Sequence, residues 1–248
     1  MTASTNFIIL GTPRSGTTFF CETLNSRSNI WIPEFTNSEP FNPTNIVQIS
    51  NIFKSNIFDQ DSIIQKMIAI KEKKEIEYFG FKTFISWHND ISSIIDKNEL
   101  AIFLVLRKNI WKVLTSMLVA IDNKDFQGSS KRFDPFYYDG SNREQRRIFT
   151  MFNSICRDYW WSENVFHNHP NLIEKIYLED LTEENLSFQK INDYFKTEIQ
   201  FTANYVEDSI GEYVANFDDL KQFILEKVHL SKYHYSALPD YIMKELEL

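Results

Sequence analysis

The residues best suited to chemistry cluster near the start of the chain, where Phe7-Ile8-Ile9-Leu10 runs into Gly11-Thr12-Pro13-Arg14-Ser15-Gly16-Thr17-Thr18. The chain has only 6 Gly, and two of them bound this turn, five positions apart. An apolar strand entering a tight turn and then a helix start aims a row of backbone N–H groups at one spot, where the helix N-terminus also favours negative charge. The hydroxyls of Ser15, Thr17 and Thr18 and the guanidinium of Arg14 add donors that suit phosphate oxygens. The loop reads as an anion site. Its nearest generic template is G-x-x-x-x-G-K-[ST], with Gly11 and Gly16 in place and Thr17 where the lysine would stand. Without that lysine a γ-phosphate loses its point-charge partner, which disfavours ATP hydrolysis.

A second set comes after a later apolar run. Leu100 to Leu106 ends in Arg107-Lys108-Asn109, and Ser116 lies nine residues beyond Arg107, with Thr115 beside it. An arginine at a strand end and a hydroxyl two to three turns into the next helix can close on one phosphate if the junction folds back. Lys82, inside Phe79-Gly80-Phe81-Lys82-Thr83-Phe84, adds a cation, and Glu34, Glu39 and His88 are groups able to take a proton. These residues also have plain structural uses: caps, solvated loop acids, a strand lysine reaching for water.

The chain resembles the sulfotransferases that use 3′-phosphoadenosine 5′-phosphosulfate (PAPS). That family opens on an apolar strand and a loop of the type [YGF]-P-[KR]-S-G-T-[TS], to which GTPRSGTTFF is similar. The resemblance implies that Arg14 takes the place of a frequent lysine at the bridging oxygen, that Pro13, Ser15, Gly16, Thr17 and Thr18 wrap the 5′-phosphate, and that Phe19 stands where many members stack an aromatic. It implies that Arg107 with Ser116, or Thr115 as the alternative, clamps the 3′-phosphate. It implies that Lys82 steadies the sulfuryl oxygens. Phe84 stands where eukaryotic cytosolic members carry their base, so the base falls to Glu39 first, then Glu34, then His88. Tyr177-Leu178-Glu179-Asp180-Leu181 resembles a Y-E-D-L segment with its tyrosine one position early, which leaves an adenine contact by Tyr177 open.

The resemblance further implies an enzyme that transfers a sulfuryl group in line, without a metal, from PAPS to a hydroxyl or amine of a small acceptor, leaving adenosine 3′,5′-bisphosphate (PAP). The loop and EPFNP are similar to small cyanobacterial sulfotransferases of natural-product biosynthesis, including those acting on guanidinium toxins of the saxitoxin group. Trp31, Phe35, Phe41, Trp87, Phe136, Tyr137 and Tyr138 are expected to wall a compact polar or cationic acceptor. A carbohydrate or lipid acceptor is the alternative. From other classes, a P-loop-like small-molecule kinase and a non-catalytic nucleotide-binding module remain.

Around these residues the chain must supply a scaffold. At 248 residues, folding is expected to bury about 73% of the unfolded surface. Absence of repeats, low-complexity tracts and Gly/Ser/Pro-rich linkers predicts one domain spanning residues 1–248. Strand patterns at Asn6 to Leu10, Glu77 to Phe84, Leu100 to Leu106 and Leu172 to Leu178 alternate with helical patterns at Thr17 to Leu24, Asp59 to Lys74, Trp87 to Lys97, Asn109 to Ile121, Ser141 to Asn168 and Glu183 to Phe195, with a helical tail from Phe217. Such alternation predicts an α/β fold, a central parallel sheet flanked by helices, and the resemblance narrows it to a P-loop-like sulfotransferase fold. Asp122 to Ser141 reads as an irregular excursion able to cover a site, with Lys131 and Arg132 or the subsequent Arg143, Arg146 and Arg147 as its cations.

Composition removes other classes. Lys+Arg 26 against Asp+Glu 34 gives a net charge of −8, without the positive field of a nucleic-acid binder. The longest apolar runs are about a third of a bilayer span, and no secretory signal pattern opens the chain, so no membrane partner is expected. Two separated cysteines, Cys21 and Cys156, read as reduced buried thiols and point to the cytoplasm.

Overall fold

The structure, a computed structural model, describes residues 5–33, 54, 60–73, 76–85, 91–124, 134–181, 188–201, 210–231 and 235–248. The chain divides into two compact units, residues 1–106 with 166–203 and residues 107–165 with 204–248.

The first unit is built on a five-stranded, all-parallel sheet. Its strands are β1 (Asn6–Gly11), β2 (Ile30–Trp31), β3 (Tyr78–Phe84), β4 (Ala101–Leu106) and β5 (Leu172–Tyr177), in the spatial order β2-β3-β1-β4-β5. Between them lie α1 (Thr17–Asn25), α2 (Gln60–Lys73) and α3 (Ile91–Lys97); the chain of the second unit supplies α4 (Ile110–Asp122) and α5 (Asn142–Trp161); α6 (Leu178–Leu181) and α7 (Gln189–Phe195) come after β5. The expected α/β class with a parallel sheet flanked by helices is therefore what the chain adopts. The four expected strands are found within a residue or two of their predicted bounds. The two-residue β2 has no counterpart among the expected strands, because Ile30–Trp31 is too short to show a period.

Every residue of β4 is buried, which is why its sequence AIFLVL shows no alternation: a parallel strand covered on both faces needs apolar side chains on both. One face of the sheet carries Phe7, Ile9, Phe103 and Val105, packed with Phe20 and Leu24 of α1 and Tyr194 and Phe195 of α7. Phe7 meets Phe103 edge-on at 5.7 Å and Phe195 at 5.2 Å, while Phe103 stacks on Phe195 at 5.3 Å. Burying each such ring contributes up to about 3 kcal/mol, so this aromatic block anchors α1 and α7 to the strands that carry the first loop.

The sheet order creates a switch in direction. From β1 the chain crosses toward β2 on one side, and from β3 it crosses β1 to reach β4 on the other. With right-handed crossovers, connections running in opposite directions lie on opposite faces. The loop after β1 and the segment after β3 therefore part at the C-terminal ends of adjacent strands, where open α/β sheets form their binding crevice.

The second unit is helical among its described residues: α4, α5, α8 (Ile210–Tyr213), α9 (Phe217–Leu230) and α10 (Asp240–Glu245). Ser141 caps α5 by accepting from the Glu144 N–H, and the helix passes after Trp161 into a π turn over Ser162–Phe166, shorter than the single helix expected to Asn168. No described helix is long and apolar enough to cross a membrane. Cys21 and Cys156 are buried thiols in no disulfide, as expected; burial, with Asp158 nearby, pushes the Cys156 thiol well above its ordinary value.

Candidate functional site

The first loop forms the expected strand, turn and helix. β1 ends at Gly11, and α1 begins at Thr17 after Gly16. Gly16, the residue that starts the helix, has φ +86°, a left-handed conformation, and a Cβ there would lie 2.4 Å from Leu178 Cδ1. The left-handed backbone is what calls for glycine; the tip of the Leu178 side chain would have to move for any other residue. Gly11 is required by approach alone: a Cβ would sit 2.5 Å from the Val105 carbonyl oxygen on the neighbouring β4. Between them Arg14 also adopts a positive φ, 65°. Holding a residue with a Cβ there costs about 1 kcal/mol or more, a strain typical of ligand loops. Left-handed residues alternating with right-handed ones build the backbone concavities that gather N–H groups around an anion, and two left-handed residues, Arg14 and Gly16, lie in this turn.

The hydroxyls divide their work. Ser15 is fully buried and its Oγ donates to the Thr12 carbonyl at 2.7 Å, closing the turn internally. It is a loop-shaping residue first. Thr17 is buried in the first turn of α1, and Thr18 is exposed at the rim. Since Gly16 has no side chain, no side chain caps α1, and its first-turn N–H groups have no intrahelical acceptor to reach. Thr12, which sequence reasoning passed over, is fully buried, and its Oγ1 has no hydrogen-bond partner among the described residues. Buried hydroxyls are seldom left so.

The contact that joins separate motifs is Lys82 Nζ donating to Thr18 Oγ1 at 2.7 Å, across 64 residues of sequence. Lys82 is 3% exposed, near the C-terminal end of β3, and its Cα partner on β1 is Ile9. In-register parallel partners share a face, so Lys82 points to the α1 side and its ammonium emerges beside the loop rather than in solvent. A buried ammonium is stable only among hydrogen-bond acceptors or negative charge.

The third strand end at this place is that of β5. Leu178, directly after it, backs Gly16, so Tyr177 is carried close to the loop by its neighbour. Tyr177 is partly buried, with Lys175 Nζ 5.4 Å from its ring centre. Phe19 is also partly buried, and packs against Phe201 at 6.1 Å, while Phe20 stacks on Phe201 at 5.3 Å. Pro13 and Arg14 are half-buried on the turn itself.

The second candidate set lies in the other unit. Arg107, 3% exposed, comes immediately after β4, and the fully buried Tyr159 of α5 donates its hydroxyl to the Arg107 carbonyl. Asn109 caps α4, its side chain accepting from the Lys112 N–H at 3.0 Å, which makes the turn after β4 three residues long. Ser116 and Thr115 are both buried on α4, but the Thr115 hydroxyl donates to the Trp111 carbonyl at 2.8 Å.

Other expected residues are differently disposed. Phe136 and Tyr138 are buried inside the second unit, Tyr138 stacked on Phe223 and Phe136 under the Arg147 guanidinium. They wall no exposed site; of that group Tyr137 is exposed, at 66%. Arg147 pairs with Asp122 at 3.2 Å and with Glu144, so it is engaged locally, while Arg143 and Arg146 are exposed. Glu34, Glu39, His88, Phe35, Phe41, Trp87, Lys131 and Arg132 lie outside the described residues.

A scan against protein-family models matches none of them, and a search of curated proteins finds no significant relative. The functional reading thus rests on the loop, its lysine and the strand ends.

Proposed function

We propose that this protein is a PAPS-dependent sulfotransferase with a P-loop-like fold, acting on a hydroxyl or amine of a small acceptor. The observation that carries the reading is the buried Lys82 ammonium hydrogen-bonded to Thr18 at the rim of an uncapped, left-handed phosphate-type loop. In a P-loop kinase the corresponding cation comes directly after the second glycine; here Thr17 holds that place and the cation comes from the adjacent strand. A cation so placed meets a group at the loop's outer edge.

The residues present fit such a donor. Glycine at 11 and 16 lets the turn pack closely against Val105 and Leu178, and the loop holds an orphaned buried hydroxyl in Thr12. When bound, PAPS supplies an activated sulfuryl group whose leaving group is a nucleotide phosphate. The first-turn N–H groups of α1 and the Arg14 guanidinium hold the 5′-phosphate and meet charge as it builds on the bridging oxygen. Lys82, kept in place by Thr18, orients toward the sulfuryl oxygens at little further entropy cost because burial already fixes its chain. Arg107 and Ser116 are assigned to the 3′-phosphate. A carboxylate, Glu39 first and Glu34 or His88 next, takes the proton from the acceptor hydroxyl. The acceptor class is a small natural product, with a guanidinium toxin of the saxitoxin group as the specific candidate and a carbohydrate or lipid as the alternative.

Thermal unfolding with nucleotides tests the donor. Adenosine 3′,5′-bisphosphate at 100 times its Kd should add about 2.7 kcal/mol of stability and raise Tm by several degrees, with little change from ATP and Mg²⁺. Stabilisation by ATP and Mg²⁺ with none from the bisphosphate would turn the reading to a kinase. Mass spectrometry after incubation with PAPS and pooled hydroxylated and guanidinium acceptors should show one added sulfuryl group. Bisphosphate binding with no sulfated product from any acceptor would favour a non-catalytic nucleotide-binding module.

A further inference from the structure

In the second unit, one face of α5 and the segment before α10 enclose an open cavity of about 460 Å³ that none of the chemistry above uses. That volume lies in the range of small-molecule sites. Asn153, Arg157, Trp160 and Trp161 contribute from α5, at spacings of three and four that bring them to one helix face, with Tyr235 and Leu238 opposite.

The lining has a specific chemistry. The two indoles stand at 80° to each other, ring centres 6.0 Å apart, forming a corner with a flat wall on each side. Trp160 is 38% exposed, a large apolar area to leave in water. Arg157, one turn before this corner on the same face, is exposed and pairs with no carboxylate among the described residues. Tyr235 donates its hydroxyl to Asn153 Oδ1, which fixes the Asn153 carboxamide and leaves its nitrogen as a neutral donor. Among the described residues, the cavity thus offers flat apolar walls, one guanidinium and one amide donor, without an acidic side chain in its lining.

We infer that this cavity binds a small aromatic anion, a fused or single ring carrying a carboxylate, sulfate or phosphate. The ring lies against an indole, and the anionic group takes the Arg157 guanidinium in the planar, forked geometry suited to such oxyanions. A cation is repelled by Arg157, and a neutral ring gains only the apolar contact. This site stands independently of the sulfuryl-transfer reading.

The probe is 2-naphthoate, compared with neutral 2-naphthamide, titrated against the full chain by saturation-transfer NMR. The expected result is a saturable signal for naphthoate at least fivefold tighter than for the amide. Arg157→Gln should remove that preference and leave the amide unchanged, whereas Trp160→Ala should weaken both ligands at least fivefold. Both positions are exposed, so unchanged thermal unfolding will show that the variants fold. Equal affinity for acid and amide, a preference that survives Arg157→Gln, or no saturable signal at 10 mM, taken as about the weakest affinity that would count as a site, would overturn the proposal.

Discussion

Lys82 is buried in β3 with its ammonium donating to Thr18 Oγ1 rather than reaching solvent. A lysine in a strand ordinarily reaches for water, and nothing in FGFKTF says otherwise. Its burial at 3% and its bond to Thr18 result from the parallel register that sets Lys82 opposite Ile9, on the face that α1 covers. Removing the charge while keeping the length tests its part in turnover. Lys82→Met should lower kcat by tenfold to a hundredfold, the range for losing one charge-assisted contact of about 1.5 to 3 kcal/mol. Bisphosphate binding, assigned above to the loop as a proposal, should change less. The check is single-turnover kinetics beside bisphosphate titration; equal losses in both would make Lys82 a structural support of the loop.

Among the elements, the connection from β4 into α4 is the most tightly specified. Three residues separate strand from helix, and Asn109 satisfies a first-turn N–H of α4. Asn109→Ala should destabilise the protein by about 1 kcal/mol, read from urea midpoints at unchanged slope. Because Arg107 sits in the same turn, the bisphosphate-induced rise in Tm should also shrink in this variant. A full stability loss with an undiminished ligand response would detach Arg107 from the nucleotide. The Tyr159 hydroxyl on the Arg107 carbonyl ties the same turn to α5, so this short connection is held from both ends.

For the molecule as a whole, aromatic burial sets an alkaline limit. Burial holds the phenols of Tyr78 and Tyr235 up at about 12, from an ordinary value near 10, with Glu77 adding to the effect at Tyr78. A folded state that keeps its proton longer than the unfolded chain gains stability present in full below pH 10. That gain is lost as pH rises from 10 through 12. Stability by urea unfolding should therefore fall through this window, while ultraviolet titration shows these phenols ionising together with unfolding. Phenols that all titrate near 10 in a folded protein would refute it.

The amino-acid order alone carried the class of fold and the strand, turn and helix of the first loop. Both are legible in short stretches: AIFLVL is an unbroken apolar run, as a strand covered on both faces needs, and Gly16 starts α1 at φ +86°, a backbone conformation that glycine adopts without strain. Tertiary structure alone decided which residues meet. That Lys82 reaches Thr18, that Leu178 backs Gly16, and that Thr115 turns its hydroxyl to Trp111 depend on strand register and helix rotation. Phe136 and Tyr138 carry the same lesson in reverse: their types suit a binding wall, yet they are buried in the second unit. Register and rotation are set by packing among side chains far apart in the chain, and no local pattern encodes the sum of those contacts.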